Sequence, residues 1–221
     1  MHESEKLRLK FTKTGRAIYI SHLDLMRTLQ RAFTRASIPL KYSEGFNPHA
    51  KISILLPLSL GMESVCELMD FQLGGYPPSD IIERLNRSLP EGISALKVYP
   101  ALRKVREIKW LEVEGIFEYD EKNPADVISE LRSFFEAESI IIEKKTKRGF
   151  GASDIRPAIK EISFKLCGEG IRLSAVISAQ EPTLNPEYLA KALEQLKPEI
   201  APDFAKFRRI SLFDNNMKEF M

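Results

Sequence analysis

The residue types best suited to chemistry gather between positions 16 and 51. Ser21-His22-Leu23-Asp24 opens a run of apolar residues at helical spacing, and the backbone N–H groups at a helix start favour anions. His22 in that position can donate to a phosphate or carry a proton. Ser21 and Asp24 equally fit a capping box, which needs no ligand. Arg27, Arg31 and Arg35 follow at i, i+4 and i+8 on one helix face. Like charges at this spacing disfavour an isolated helix by about 0.2–0.5 kcal/mol per pair. The stripe therefore either meets a polyanion, whose phosphates guanidinium groups bind bidentately, or pairs with groups elsewhere in the fold. The loop Ser43-Glu44-Gly45-Phe46-Asn47-Pro48-His49 then carries an aromatic where turns usually carry a polar residue. Phe46 beside Asn47, His49 and Lys51 suits stacking on a base with contacts to its backbone, or else Phe46 plugs the core beneath the loop.

A second constellation, Asp154-Ile155-Arg156-Pro157, follows the basic, glycine-containing stretch Lys147-Arg148-Gly149-Phe150-Gly151. It reads either as a ligand-closing loop with Asp154 and Arg156 at a site, or as an ordinary structural ion pair. Cys66 and Cys167 lie far apart, and His2, His22 and His49 have no neighbouring ligand, so neither a metal site nor a disulfide framework is expected.

The elements that must position these residues are an α+β set with antiparallel sheets. Residues 6–13 alternate as a half-buried strand, and 17–20 read as an extended apolar stretch. A helix runs from Ser21 to before Pro39, with strands at 51–57 and 65–73, a helix from about 80 to 89, and a strand at 93–102. The order β-α-β-β-α-β then recurs with an insertion: a strand at 108–119, a helix after Asn123-Pro124, a strand at 139–146, strands at 162–167 and 171–177, a helix after Asn185-Pro186, and a strand at 207–213. Two ferredoxin-like (split βαβ) units in tandem fit this order, at 1–102 and 108–214, with a basic connector at 103–107 and a frayed tail at 215–221.

Composition narrows the classes. The chain of 221 residues is 43% hydrophobic and 29% charged, the balance of a folded globular protein rather than a disordered one. No apolar run approaches the roughly 20 residues of a membrane span, and the polar start resembles no secretory signal, so a cytoplasmic protein is expected. The formal net charge is +2, yet residues 1–60 hold ten Lys/Arg against four acids. This concentrates the positive field near the arginine stripe.

Several of these strings carry a resemblance. Phe11-Thr12-Lys13-Thr14-Gly15-Arg16, Ile20-Ser21-His22-Leu23-Asp24-Leu25-Met26-Arg27, Tyr42-Ser43-Glu44-Gly45-Phe46-Asn47-Pro48-His49 and Leu58-Ser59-Leu60-Gly61, with Asp154-Ile155-Arg156-Pro157 in the second half, make the chain similar to the radical-SAM-linked protein family, a bacterial domain family of unknown function. The resemblance implies an RNA-linked accessory role beside a radical SAM protein. The chain has no Cys-x3-Cys-x2-Cys, so S-adenosylmethionine and the iron–sulfur cluster are expected only through that partner. Three functions stand: an RNA-binding accessory using Ser21, His22, Arg27, Arg31, Arg35, Phe46, Asn47, His49 and Lys51; a module that docks on the radical SAM partner without nucleic acid; or a metal-independent ribonuclease with His22 and His49 as acid and base.

Overall fold

A computed structural model describes residues 6–146, 149–168 and 170–221. It is a mixed α+β structure with four α-helices among the described residues and largely antiparallel strands. The chain divides into two compact units, one through Glu107 and one from Ile108 to Phe220.

In the first unit, strand β1 (Leu7–Lys13) pairs antiparallel with β3 (Glu63–Phe71) on one side and β4 (Ile93–Pro100) on the other. Strand β2 (Ile52–Leu55) takes the far edge of β3, since Phe71 faces Leu7 across one edge and Ile52 across the other. The period-2 alternation of β1 turns Leu7, Leu9 and Phe11 to one face. Helix α1 (His22–Arg35) packs there through Leu25, Leu29 and Phe33, and α2 (Ile81–Ser88) through Ile81 and Leu85. Phe33 meets Phe71 edge-on at 5.0 Å between ring centroids. The same alternation carries Lys13 into this interior. Its Nζ donates to the carbonyls of Ile18 (3.2 Å) and Ile20 (2.9 Å). Burial pulls its pKa below the usual lysine value, against the opposing pull of Glu67.

In the second unit, β5 (Trp110–Glu118) lies between β10 (Phe204–Phe213) and β9 (Gly170–Ser178), and β8 (Ile159–Cys167) pairs with the other edge of β9. Helices α3 (Pro124–Glu136) and α4 (Glu187–Leu196) bury Val127, Leu131, Phe135, Leu189 and Leu193. Asn123 caps α3 by accepting from the Ala125 N–H, and Asn185 accepts from Glu187 N–H at the start of α4. Strands β6 (Ile141–Thr146) and β7 (Gly149–Asp154) form a separate two-stranded hairpin.

Three expectations need correction. The stretch expected to be extended at 17–20 lies largely in a 3-10 turn, Gly15–Tyr19, opened by Gly15 at φ 55°. The insertion is a hairpin rather than a strand followed by a loop, because Gly149–Asp154 pairs residue for residue with Ile141–Thr146. The tail is not frayed: Glu219 bridges Phe213, the Phe220 N–H donates to the Leu212 carbonyl at 2.7 Å, and Phe220 is buried. Asp214 holds that turn by accepting from the N–H groups of Asn216 and Lys218. No helix among the described residues is long and apolar enough to cross a membrane. Both cysteines are free, and no described group of His, Cys, Asp and Glu is placed to hold a metal ion.

Candidate functional site

Helix α1 forms for reasons local to its sequence. The Ser21 hydroxyl accepts from the Asp24 N–H (3.2 Å) and donates to the Asp24 carboxylate (2.8 Å). This reciprocal cap holds the Asp24 carboxyl below the usual range, with the Ser21 bond the largest cause and the Arg27 bond next. The anion favoured at this helix start is thus supplied by the chain itself, and Ser21 is engaged as a cap. At the other end Ser37 takes φ 56° and the Ile38 N–H donates to the Phe33 carbonyl, a Schellman closure that buries Ile38.

The three arginines have different surroundings. Arg27 is exposed and donates to Asp24 at 3.0 Å. Arg31 is exposed and bonds no described residue. Arg35 reaches across to α2 and donates to the Ser88 carbonyl, one of the last carbonyls of that helix, so it acts as a C-terminal cap. The sequence stripe is real as spacing, but its third member has structural work.

Beyond α1 the chain folds into a short hairpin. Tyr42 bridges Ala50, the Ser43 N–H donates to the His49 carbonyl (2.8 Å), and the His49 N–H donates to Ser43 Oγ (3.0 Å). Gly45 at φ 120° turns the tip, and Phe46 beyond it is fully exposed. Asn47, His49 and Lys51 are exposed as well. Phe46 therefore does not plug the core. The hairpin is tied to α1 by a side-chain bond in which Gln30 Nε2 donates to Tyr42 Oη at 3.1 Å. Gln30 lies three residues after Arg27 on α1, so this bond anchors the base of the hairpin to the helix that carries the exposed Arg27 and Arg31.

His22 begins α1, eight residues before Gln30, or about 12 Å along the helix axis. His49 belongs to the hairpin, and no hydrogen bond joins the two imidazoles. In the second unit Asp154 and Arg156 serve the backbone. Asp154 accepts from the N–H groups of Ile140 and Arg156 and from Ser139 Oγ, and the two backbone bonds are the chief reason its pKa lies below the usual value. Arg156 donates to the carbonyls of Ala137, at the end of α3, and Ile159. Lys147 and Arg148 of the loop that precedes them lie outside the described residues.

Residues 6–186, which include α1, the hairpin and the Asp154 turn, match the family described as "Uncharacterized protein conserved in bacteria (DUF2344)". The chain belongs to this family. No curated protein matches it. Among solved structures it is similar to the crystal structure of an unknown protein from Galdieria sulphuraria, at 12% identity over 94% of this chain and 99% of that one, with a TM-score of 0.27. A likeness at that score carries no argument about either fold or function. The family's description names no activity, so the reading of the site rests on its geometry.

Two contributors escaped the sequence reading. Lys13 looks like the polar side of a strand, yet its ammonium ties down the segment that leads into Ser21 and His22. Tyr76 is 93% exposed in Gly75-Tyr76-Pro77. An aromatic set between glycine and proline also marks Phe46, in Gly45-Phe46-Asn47-Pro48, and that signal could have found both.

Proposed function

We propose that this is a cytoplasmic RNA-binding accessory protein that works with a radical SAM partner in RNA modification or processing, with RNA lying across α1 and the 42–50 hairpin. The observation that carries the reading is the fully exposed Phe46 on a hairpin that Gln30 ties to α1, the helix that also bears the exposed Arg27 and Arg31. A fully exposed phenylalanine contributes little to the fold, whereas a ring and exposed guanidinium groups on one unit supply both a stacking face and phosphate contacts. Residues 27–51 hold five Lys/Arg and a single acid, Glu44, which favours an anionic partner. Asn47, His49 and Lys51 extend the surface, and His22 lies at its far margin. The radical SAM partner is supported by the motif resemblance, and it would supply the S-adenosylmethionine and the cluster. The strand orders β4-β1-β3-β2 and β10-β5-β9-β8, each crossed by two helices, support reading both units on the ferredoxin-like plan.

A second reading is favoured by one observation. Tyr19, Leu23 and Leu60 are exposed near the start of α1, where the Gly61 N–H donates to the Ile18 carbonyl. This apolar group suits docking of the partner protein.

The test is fluorescence anisotropy of the full chain with labelled RNA across a salt series. Micromolar or tighter binding with a steep salt dependence is expected, and Arg27→Ala with Arg31→Ala should lower the salt slope by about 1 per arginine that meets a phosphate. Absence of RNA binding together with co-purification of the radical SAM partner would select the docking reading.

A further inference from the structure

Exposed aromatic side chains leave one corner of the first unit. The corner is knitted by main-chain bonds: Gly74 N–H to the Pro39 carbonyl (2.8 Å), Lys41 N–H to the Gln72 carbonyl (2.8 Å) and Lys51 N–H to the Lys41 carbonyl (2.7 Å). From it the hairpin carries Tyr42 and Phe46, and the loop after β3 carries Tyr76. Phe46 and Tyr76 are essentially fully exposed, and Tyr42, its hydroxyl held by Gln30, keeps 44% of its surface open. Among the described residues none of the three rings stacks on another aromatic side chain of the unit, and the rings of Phe46 and Tyr76 stand open to solvent.

Rings presented in this way suit an unpaired strand better than an undistorted duplex. A duplex hides its base faces and offers phosphates and groove edges, which arginines alone can serve. An unpaired strand offers base faces that stack on aromatic rings, whatever the base. Basic residues on the same segment, Arg31, Lys41 and Lys51, are suited to track the accompanying phosphates.

We infer that the corner bearing Tyr42, Phe46 and Tyr76 takes single-stranded RNA, with bases stacked on Phe46 and Tyr76 and the backbone following the basic residues of α1 and the hairpin. This rests on the RNA-binding reading above and names its substrate class. Two labelled probes separate the two: an unstructured RNA of about 12 nucleotides and a duplex of the same length, each titrated with the full chain at equal salt. The single strand is expected to bind at least about tenfold more tightly. Phe46→Ala and Tyr76→Ala should each weaken it by about 5- to 100-fold while leaving the duplex unchanged, and both rings are exposed enough that folding, checked by circular dichroism, should be intact. Equal or tighter duplex binding, or wild-type affinity in both aromatic variants while the arginine variant weakens, overturns the single-strand inference and leaves the RNA reading standing. Failure to bind either probe overturns both.

Discussion

Each unit projects a hairpin in which a glycine with φ near 120° precedes an exposed phenylalanine: Gly45-Phe46 in the first and Gly149-Phe150 in the second. No side chain crowds either glycine, so the requirement is the backbone angle itself, which L-residues rarely adopt. The two hairpins differ in what surrounds the ring. In the second, Glu143 exchanges main-chain bonds with the Gln195 amide of α4, at 2.8 and 3.2 Å. Lys144 lies 4.8 Å from the centroid of Tyr188, with its pKa lowered by burial. In the first, the side-chain bond from Gln30 is the tether, and the exposed Arg31 of the same helix bonds no described residue. An exposed ring is thus not by itself a site. What distinguishes the first hairpin is its tie to a helix whose Arg31 is exposed and bonds no described residue.

The same contrast separates two lysines that burial shifts in the same direction. Lys13 is held by two carbonyls and the nearby charge of Glu67, whereas Lys144 rests on an aromatic face. The largest expected effect follows. Lys13→Met should cost about 3 kcal/mol by leaving a buried charge and two carbonyls without their ammonium. Lys144→Met should cost within about 1 kcal/mol, the scale of a cation–π contact. Urea unfolding of both variants measures the difference, and equal losses would break the comparison.

Next in size is the ring itself. Phe46→Ala should weaken RNA binding about tenfold and Phe150→Ala less than about twofold, read by anisotropy. The reverse ranking would move the interface to the second unit. Below these stand the tethers. Gln195→Ala should destabilise by about 1 kcal/mol with RNA affinity unchanged, while Gln30→Ala should change stability by a similar amount and weaken RNA binding as well. A thermal melt alongside the titration separates the two.

The smallest effect is local and depends on pH. Asp154 closes the base of the second hairpin with a carboxyl held below its usual pKa, so its contribution is complete above the ordinary carboxylate range and is lost as pH falls through the lowered folded value. Amide exchange of Ile140 and Arg156 should therefore accelerate on acidification below about pH 4, relative to the intrinsic rate of each amide. Ser43 closes the first hairpin with a hydroxyl, which does not titrate, and the His49 amide should show no such step.

Much of this architecture was legible because its causes are local. Ser21 with Asp24, the spacing of Leu25, Leu29 and Phe33, and the Asn123 cap announce helices wherever they occur. The misreadings arise where distant partners decide. Ala17-Ile18-Tyr19-Ile20 has the composition of a strand, but Lys13 draws its carbonyls together and the segment coils. Gly149-Phe150-Gly151-Ala152 lacks strand propensity and becomes a strand because β6 pairs with it. Of the site, the loop Phe46 was readable as unusual, yet only its exposure removes the core-plug alternative. Arg35 and Arg156 looked like ligand-binding cations, and their partners are helix-end carbonyls remote in sequence.

The interior position of Lys13 also makes it a chemical reporter. Amine-reactive acylating reagents reach surface lysines directly, but they reach this one only in molecules whose 18–20 segment has released its two carbonyls. The labelling rate of this single amine therefore records how often the start of α1 swings open, and any ligand that clamps that end of the helix should protect it.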